Sequence, residues 1–358
     1  MSEAGHPRLA IRGLTKSFGG VHALRRADLT VQPGEIHGLL GKNGSGKSTL
    51  IKILSGFHKP DEGVLEIDGA PVALPIPPGR SEAIGLSFVH QNLGLLAEAT
   101  VLENLLAGDR ERVNRWFINW PAEAARARAL FAGHHLDLDP DATVADLSPV
   151  KRAQFAIVRA VDRVRAHREH ASPGLLVLDE PTPFLPIEDV RELFAMMRRL
   201  KETGISIVFV SHDIDEVLEI TDRATVLRDG EVIDSFDTAA AGRAHIVEAI
   251  VGRSMSQART VAPLPAAAAP AVRVEGLRGA IVQGLDLEVR PGEILGLTGL
   301  IGSGYDEIPY LMSGAIRAAS GRLALGGEAF DLSRLSPAHA MRAGIVLIPA
   351  DRQRTGLA

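Results

Sequence analysis

Cysteine is absent from the 358 residues, which excludes both a disulfide framework and a thiolate metal site and fits a reducing compartment. A basic excess is absent too. The formal net charge is -5 and the pI is near 6.2, without the cationic footprint that nucleic-acid binders carry, so no nucleic-acid partner is expected. Long apolar runs are also missing: the densest are short strand-like pieces such as GLLVL at 174–178, far below the roughly 18 residues of a membrane-spanning helix. The N-terminus, MSEAGHPRLAIRG, has no apolar signal core. Any work at a membrane therefore requires recruitment. The length suggests two domains or slightly more.

What is present is one pattern written twice. Residues 35–49 read EIHGLLGKNGSGKST and residues 293–307 read EILGLTGLIGSGYDE, each after a Pro-Gly (Pro33-Gly34 and Pro291-Gly292). Gly41, Gly44 and Gly46 recur at a constant offset as Gly299, Gly302 and Gly304, whereas Lys47 and Ser48 become Tyr305 and Asp306. The chain reads as a tandem duplication with one complete and one incomplete phosphate cradle.

Residues 7–255 alternate short apolar strands with helical stretches, which predicts an α/β domain with a largely parallel sheet. Asp68-Gly69 and Asp229-Gly230 lie between apolar segments and predict hairpins. An Ala-, Arg- and Leu-rich stretch, including PAEAARARALFAGHH, predicts a helical subdomain over about 92–165. Residues 256–271, ending in the proline and alanine tract TVAPLPAAAAPA, read as a semi-rigid linker. A second domain is expected over 272–358: strand, loop, helix, a Gly326-Gly327 turn, and a GIVLIPADR segment matching GLSFVHQ of the first copy. It lacks counterparts of the later first-copy elements and is expected to be an incomplete copy, the chain being a fragment.

Gly41 to Ser48 match G-x-x-x-x-G-K-[ST], with a predicted strand before (Glu35 to Leu40) and a helix after (Ser48 to Leu54, closed by Gly56). Glycines let backbone N–H groups turn toward phosphates, and the helix N-terminus adds positive potential. Lys47 neutralises the terminal phosphates and the Ser48 hydroxyl takes Mg²⁺. LLVLDEPT at 175–182 reads as a strand buried on both faces and ending in two carboxylates. Asp179 suits the Mg²⁺ shell and Glu180 suits polarising a water. SIVFVSHD then puts His212 at the end of the next strand, so all these groups gather at the carboxyl edge of a parallel sheet.

With these motifs in order, residues 8–255 resemble the nucleotide-binding domain of an ATP-binding cassette (ABC) protein, a P-loop NTPase fold with a helical subdomain. The resemblance implies ATP and Mg²⁺ as ligands. It implies that Asn43, Gly44, Ser45, Gly46, Lys47, Ser48 and Thr49 hold phosphates with Gly41, and that Phe18 stacks on adenine. Gln91 then touches Mg²⁺ and water and senses a membrane partner, and His212 contacts the γ-phosphate. The family's LSGGQ signature stands here as Leu147-Ser148-Pro149-Val150-Lys151. Ser148 is kept, but proline and valine replace two glycines, removing the conformational freedom expected of the amides near a γ-phosphate. PFLP after Thr182 lacks the family's aspartate-bearing loop. His167 with His170, and His134 with His135, read as solvated helix ends in preference to metal ligands.

Tandem domains with a degenerate second P-loop resemble the ATPase subunits of bacterial monosaccharide importers of the ribose, galactose and xylose type. GLIGSGYDE and IPADRQRTGL share in that resemblance. It implies permease subunits and a separate sugar-binding protein as partners, and a place at the cytoplasmic face of the membrane. In that family each ATP lies between one domain's P-loop and the other's signature. LSPVK would then face GLIGSGYDE in one altered site, and the intact P-loop would need a signature from the second domain that this chain does not contain. One site binding Mg-ATP, with weak turnover, is the expectation. Two other readings stand beside it: a soluble tandem ABC protein acting on ribosomes or nucleic acid, and a truncated ATP-binding remnant.

Overall fold

The computed structural model describes residues 6–77, 79–107, 117–167, 173–183, 185–252, 269–300 and 302–349. The chain separates into two compact units, Met1–Ala258 and Arg259–Ala358. The first begins with β1 (Leu9–Phe18), β2 (Val21–Val31), β3 (Ile36–Leu40) and α1 (Lys47–Leu54). Next come β4 (Glu62–Ile67), β5 (Ala70–Val72), β6 (Leu86–Val89), α2 (Val101–Leu106), α3 (Trp120–Gly133) and α4 (Pro149–His167). The unit closes with β7 (Leu175–Asp179), α5 (Ile187–Glu202), β8 (Ser206–Val210), α6 (Ile214–Ile220), β9 (Arg223–Arg228), β10 (Glu231–Asp237) and α7 (Arg243–Val251).

Two sheets organise this unit. One has six strands in the order β10-β9-β3-β8-β7-β6 and is parallel except for the β9–β10 hairpin. The other is antiparallel, in the order β2-β1-β4-β5. The period of two along β7 explains its unbroken apolar text. Leu176 and Leu178 enter the core shared with α2 to α6, while Leu175 and Val177 enter the core shared with α1 and the antiparallel sheet. Phe194 of α5 meets Phe209 of β8 edge-on, with ring centroids 5.8 Å apart. Both Asp-Gly hairpins form with two left-handed residues, Asp68 (φ 51°) with Gly69 (φ 76°) and Asp229 (φ 52°) with Gly230 (φ 84°), the primed turn that matches strand twist. Among the described residues no helix is long and apolar enough to cross a membrane.

The second unit repeats the antiparallel half. Strands β11 (Val272–Arg278), β12 (Gln283–Val289), β13 (Ser320–Leu325) and β14 (Glu328–Asp331) pair in the order β12-β11-β13-β14. Helices α8 (Ile308–Met312) and α9 (Pro337–Arg342) accompany them, around a core of Val274, Leu277, Leu311, Leu323 and Leu332. The repetition reaches single hydrogen bonds. Gly13 N–H donates to Asp28 Oδ1 at 2.6 Å and Gly276 N–H to Asp286 Oδ1 at 2.6 Å. Gln32 N–H donates to Glu35 Oε2 at 2.5 Å and Arg290 N–H to Glu293 Oε2 at 2.6 Å.

The strand expected to open the second glycine loop does not form. Residues 293–299 and 345–349 carry no strand, and Ile294 (98 % exposed), Val346 (74 %) and Ile348 (82 %) face outward. Pairing in the first unit supplies the reason. There β3 bonds to β8 and β9, and β6 bonds to β7, but β3 and β6 never bond to each other. Among the described residues of the second unit nothing corresponds to β7, β8 or β9, so neither segment has a neighbouring strand to form a ladder with. The tract expected as a linker falls largely outside the described residues.

Candidate active site

The strand order sets β3, β8, β7 and β6 side by side, so the chain segments leaving their carboxyl ends form one rim. From β3 the chain enters the loop 41–46 and turns into α1. Gly46 (φ 110°) could carry no side chain: a Cβ there would lie 2.5 Å from Ala23 O. At Gly41 a Cβ would lie 2.2 Å from Leu227 O. The loop thus needs glycine both for its backbone and for its close approach to neighbouring strands. Lys47 Nζ rests on the loop itself, donating to Gly41 O at 2.7 Å and Lys42 O at 3.2 Å. Burial pushes the Lys47 ammonium below the usual lysine range, while Glu180 and Asp179 pull the other way. The Ser45 hydroxyl is buried without a hydrogen-bond partner, a donor that a ligand oxygen would satisfy.

A cleft of about 410 Å³ opens over this loop, lined by Ala23, Asn43, Gly44, Gly46, Lys47, Ser48, Thr49, Gln91, Asp179 and Glu180. Gln91 arrives just after β6, Asp179 ends β7 and Glu180 follows it. Burial, and then Glu180, push the Asp179 carboxyl above the usual carboxylate range, against the opposing pull of His90, Lys47 and Lys52. Glu180 has left-handed backbone (φ 49°) and its N–H donates to Val210 O at 3.0 Å. A non-glycine residue in this region is strained and must be held by its surroundings. His212, beyond β8, brings Nδ1 to 3.3 Å from Glu180 Oε1.

The residues fit a Mg²⁺-bound nucleotide. Ser48, Gln91 and Asp179 offer hydroxyl, amide and carboxylate oxygens to one cleft, the all-oxygen chemistry a hard cation takes. Lys47 supplies the cation for phosphates, and the N-terminus of α1 the oriented amides. Among the described residues no cluster of three His, Asp or Glu side chains could hold a metal by itself.

The structure does not bring every expected residue to the cleft. Phe18 lies outside its lining, on the tip of the β1–β2 hairpin. Leu147 and Ser148 also lie outside it, at the start of α4. There Ser148 O accepts from Arg152 N–H at 3.0 Å, and Lys151 N–H approaches Ser148 Oγ at 3.4 Å. Pro149 and Val150 are already helical, so the signature change costs no glycine conformation. What Pro149 removes is one N–H at the first helical position. His167 Nδ1 contacts Arg163 O at 3.0 Å, and His170 lies outside the described residues. The sequence offered no signal for Glu216. Its Oε2 accepts from Thr182 Oγ1 at 2.9 Å and Ser211 Oγ at 2.8 Å, tying the segment after Glu180 to the one before His212. Burial raises the Glu216 carboxyl above its usual range although both hydroxyls oppose this.

Comparison with known proteins agrees with this geometry. The ABC transporter family model matches residues 24–183. The ribose import ATP-binding protein RbsA 1 of Rubrobacter xylanophilus is 40 % identical over 98 % of this chain and 68 % of its own length. RbsA of Pseudomonas putida is 37 % identical over 98 % of this chain and 67 % of its own length. The chain thus spans about two thirds of such relatives. Among solved structures, an ATP-binding cassette of an ABC transporter in its ADP conformation superposes with a TM-score of 0.60 at 25 % identity, covering 69 % of this chain and 98 % of that one. A nucleotide-free ATP-binding cassette gives 0.58, also at 25 % identity, covering 69 % and 96 %. By fold, by nucleotide cleft and by descent, this chain belongs to the ABC transporter family of ATP-binding proteins.

Proposed function

We propose that the chain is the ATP-hydrolysing subunit of a membrane importer for a monosaccharide. The observation that carries this reading is the convergence of Lys47, Ser48, Gln91, Asp179 and Glu180 on one cleft, beside the unpartnered Ser45 hydroxyl. In this reading the 41–49 loop wraps the phosphates and Lys47 leaves its carbonyl partners for the terminal phosphates. Ser48, Asp179 and Gln91 hold Mg²⁺, which neutralises developing phosphate charge. Glu180 polarises the attacking water, His212 contacts the γ-phosphate, and Phe18 stacks on the adenine. The domains are 7–255, with a helical subdomain over about 92–165, and 272–358, joined by the linker at 256–271.

The sugar-import assignment rests on what the relatives are named for, together with the degenerate second glycine loop. It places the subunit at the cytoplasmic face of the membrane, bound to permease subunits that receive sugar from a separate binding protein. The Gln91 segment and the helical subdomain are the expected coupling region. In this reading a complete site pairs the first P-loop with a signature motif from a second ABC domain, and Leu147 and Ser148 are what remains of the first domain's own signature. Pro149 favours one further reading, weak turnover by this chain, because its missing N–H weakens the signature as a phosphate ligand. Measuring Mg-ATP binding, then turnover with and without reconstituted permease, tests the proposal. Permease-stimulated turnover is expected, and an absence of ATP binding would refute it.

A further inference from the structure

Phe18 is 43 % exposed, yet its ring is held from two sides. Lys16 Nζ stands 5.1 Å from the ring centroid, and the His58 ring meets it edge-on at 5.0 Å. Asp61 anchors this arrangement with both carboxylate oxygens. Oδ1 accepts from Lys16 Nζ at 3.0 Å and Oδ2 from the Ser17 N–H at 2.7 Å. The Asp61 N–H donates in turn to Thr15 O at 2.8 Å. His58 is tied to α1, since its N–H donates at 3.0 Å to the carbonyl of Lys52 in the last turn of that helix.

The second unit shows which parts of this arrangement belong to the fold. Ala319 N–H donates to Arg278 O at 2.8 Å and Ile316 N–H to Tyr310 O at 3.1 Å, repeating the backbone bonds of Asp61 and His58. The side chains are gone: Ala319 stands for Asp61, Ile316 for His58 and Gly279 for Lys16. The hairpin has also shortened, from a separation of 15 residues between Gly13 and Asp28 to 10 between Gly276 and Asp286. No aromatic residue remains on it. The Glu307 carboxylate ties its loop instead, accepting from Ala280, Ile281 and Val282 N–H groups at 2.8, 3.1 and 3.2 Å. The backbone frame survives in both copies, and the brace survives only beside the complete phosphate cradle.

We propose that Asp61, acting through Lys16 and Ser17, and His58 are positioning residues that hold the Phe18 ring as a fixed stacking face for the purine base. The proposal rests on the reading of Phe18 as the base-stacking residue. Calorimetric titrations of the full chain with Mg-ATP and with Mg-tripolyphosphate, which has no base, test both. Asp61→Ala and His58→Ala are each expected to raise the Mg-ATP Kd about three- to tenfold, a part of what base–aromatic stacking contributes. The tripolyphosphate Kd stays within about twofold, since phosphate contacts are untouched. Asp61→Glu restores most of the loss, and in a Phe18→Ala background Asp61→Ala adds nothing. Equal losses for both ligands overturn the proposal, because the effect is then on the fold of the loop. ATP affinity lost in Phe18→Ala but kept in Asp61→Ala and His58→Ala overturns the brace and leaves Phe18 standing. ATP affinity kept in Phe18→Ala removes the reading of Phe18, and the brace with it.

Discussion

His212 Nδ1 lies 3.3 Å from Glu180 Oε1, although 32 residues separate them in sequence. The pair forms because β7 and β8 are adjacent parallel strands, with Asp179 in register with Val210. The strained backbone at Glu180 is fixed by its bond to Val210 O, and Glu216 clamps the two flanking segments through Thr182 and Ser211. The carboxylate proposed to polarise water thus stands beside the imidazole proposed to contact the γ-phosphate.

Glu180→Gln keeps the shape of this pair but removes the proposed base. Nucleotide affinity is expected to stay within about twofold while turnover falls about 100- to 10,000-fold, the usual scale for a general base. Equilibrium binding and steady-state phosphate release read the two effects separately, and turnover within tenfold of wild type would sink the assignment.

Lys47→Ala removes the cation that now rests on Gly41 and Lys42 carbonyls. The Mg-ATP Kd should rise about 10- to 100-fold, corresponding to roughly 1.5–3 kcal/mol for charge-assisted hydrogen bonds. An unchanged Kd in a titration would show that nucleotide binds elsewhere.

Asp179 offers a test with opposite signs for stability and function. Its folded-state pKa is raised, by burial first and then by Glu180, so the folded state holds the proton more tightly than the unfolded one. Stability therefore falls as pH rises from the unfolded carboxylate pKa through the raised folded value, and the cost of ionised Asp179 is fully present above it. Asp179→Asn should raise Tm at neutral pH, with the gain shrinking toward acid, while weakening Mg²⁺-dependent nucleotide binding. A Tm gain independent of pH would mean that ionisation is not its source.

Repairing the second loop should fail. Tyr305→Lys with Asp306→Ser restores the motif in text, but the Glu307 ties, the shortened hairpin and the segment 293–299 without strand structure remain. Calorimetry is expected to give one nucleotide per chain before and after the change. Two per chain in either protein contradicts the account of the second copy.

Much of the site was legible from residue order. The Gly41–Ser48 loop, the Asp179-Glu180 pair, His212 and the Asp-Gly hairpins depend on local backbone demands and on short periodicities, and neighbouring residues encode those directly. Text identical in pattern gave different structure at 36–40 and 293–299, because a strand exists only where distant segments take up its N–H and C=O groups. The same distance hid the Asp61 brace on Phe18, the Glu216 clamp, and the helical Pro149 where lost glycine freedom was expected. By itself the sequence determined that the phosphate-loop pattern occurs twice and that only the first copy keeps the lysine and serine of the motif. Tertiary structure decided which of the two glycine loops follows a paired strand, because in the first unit β8 and β9 supply the hydrogen-bond partners that hold β3 and its loop in place, and among the described residues of the second unit no strand does so.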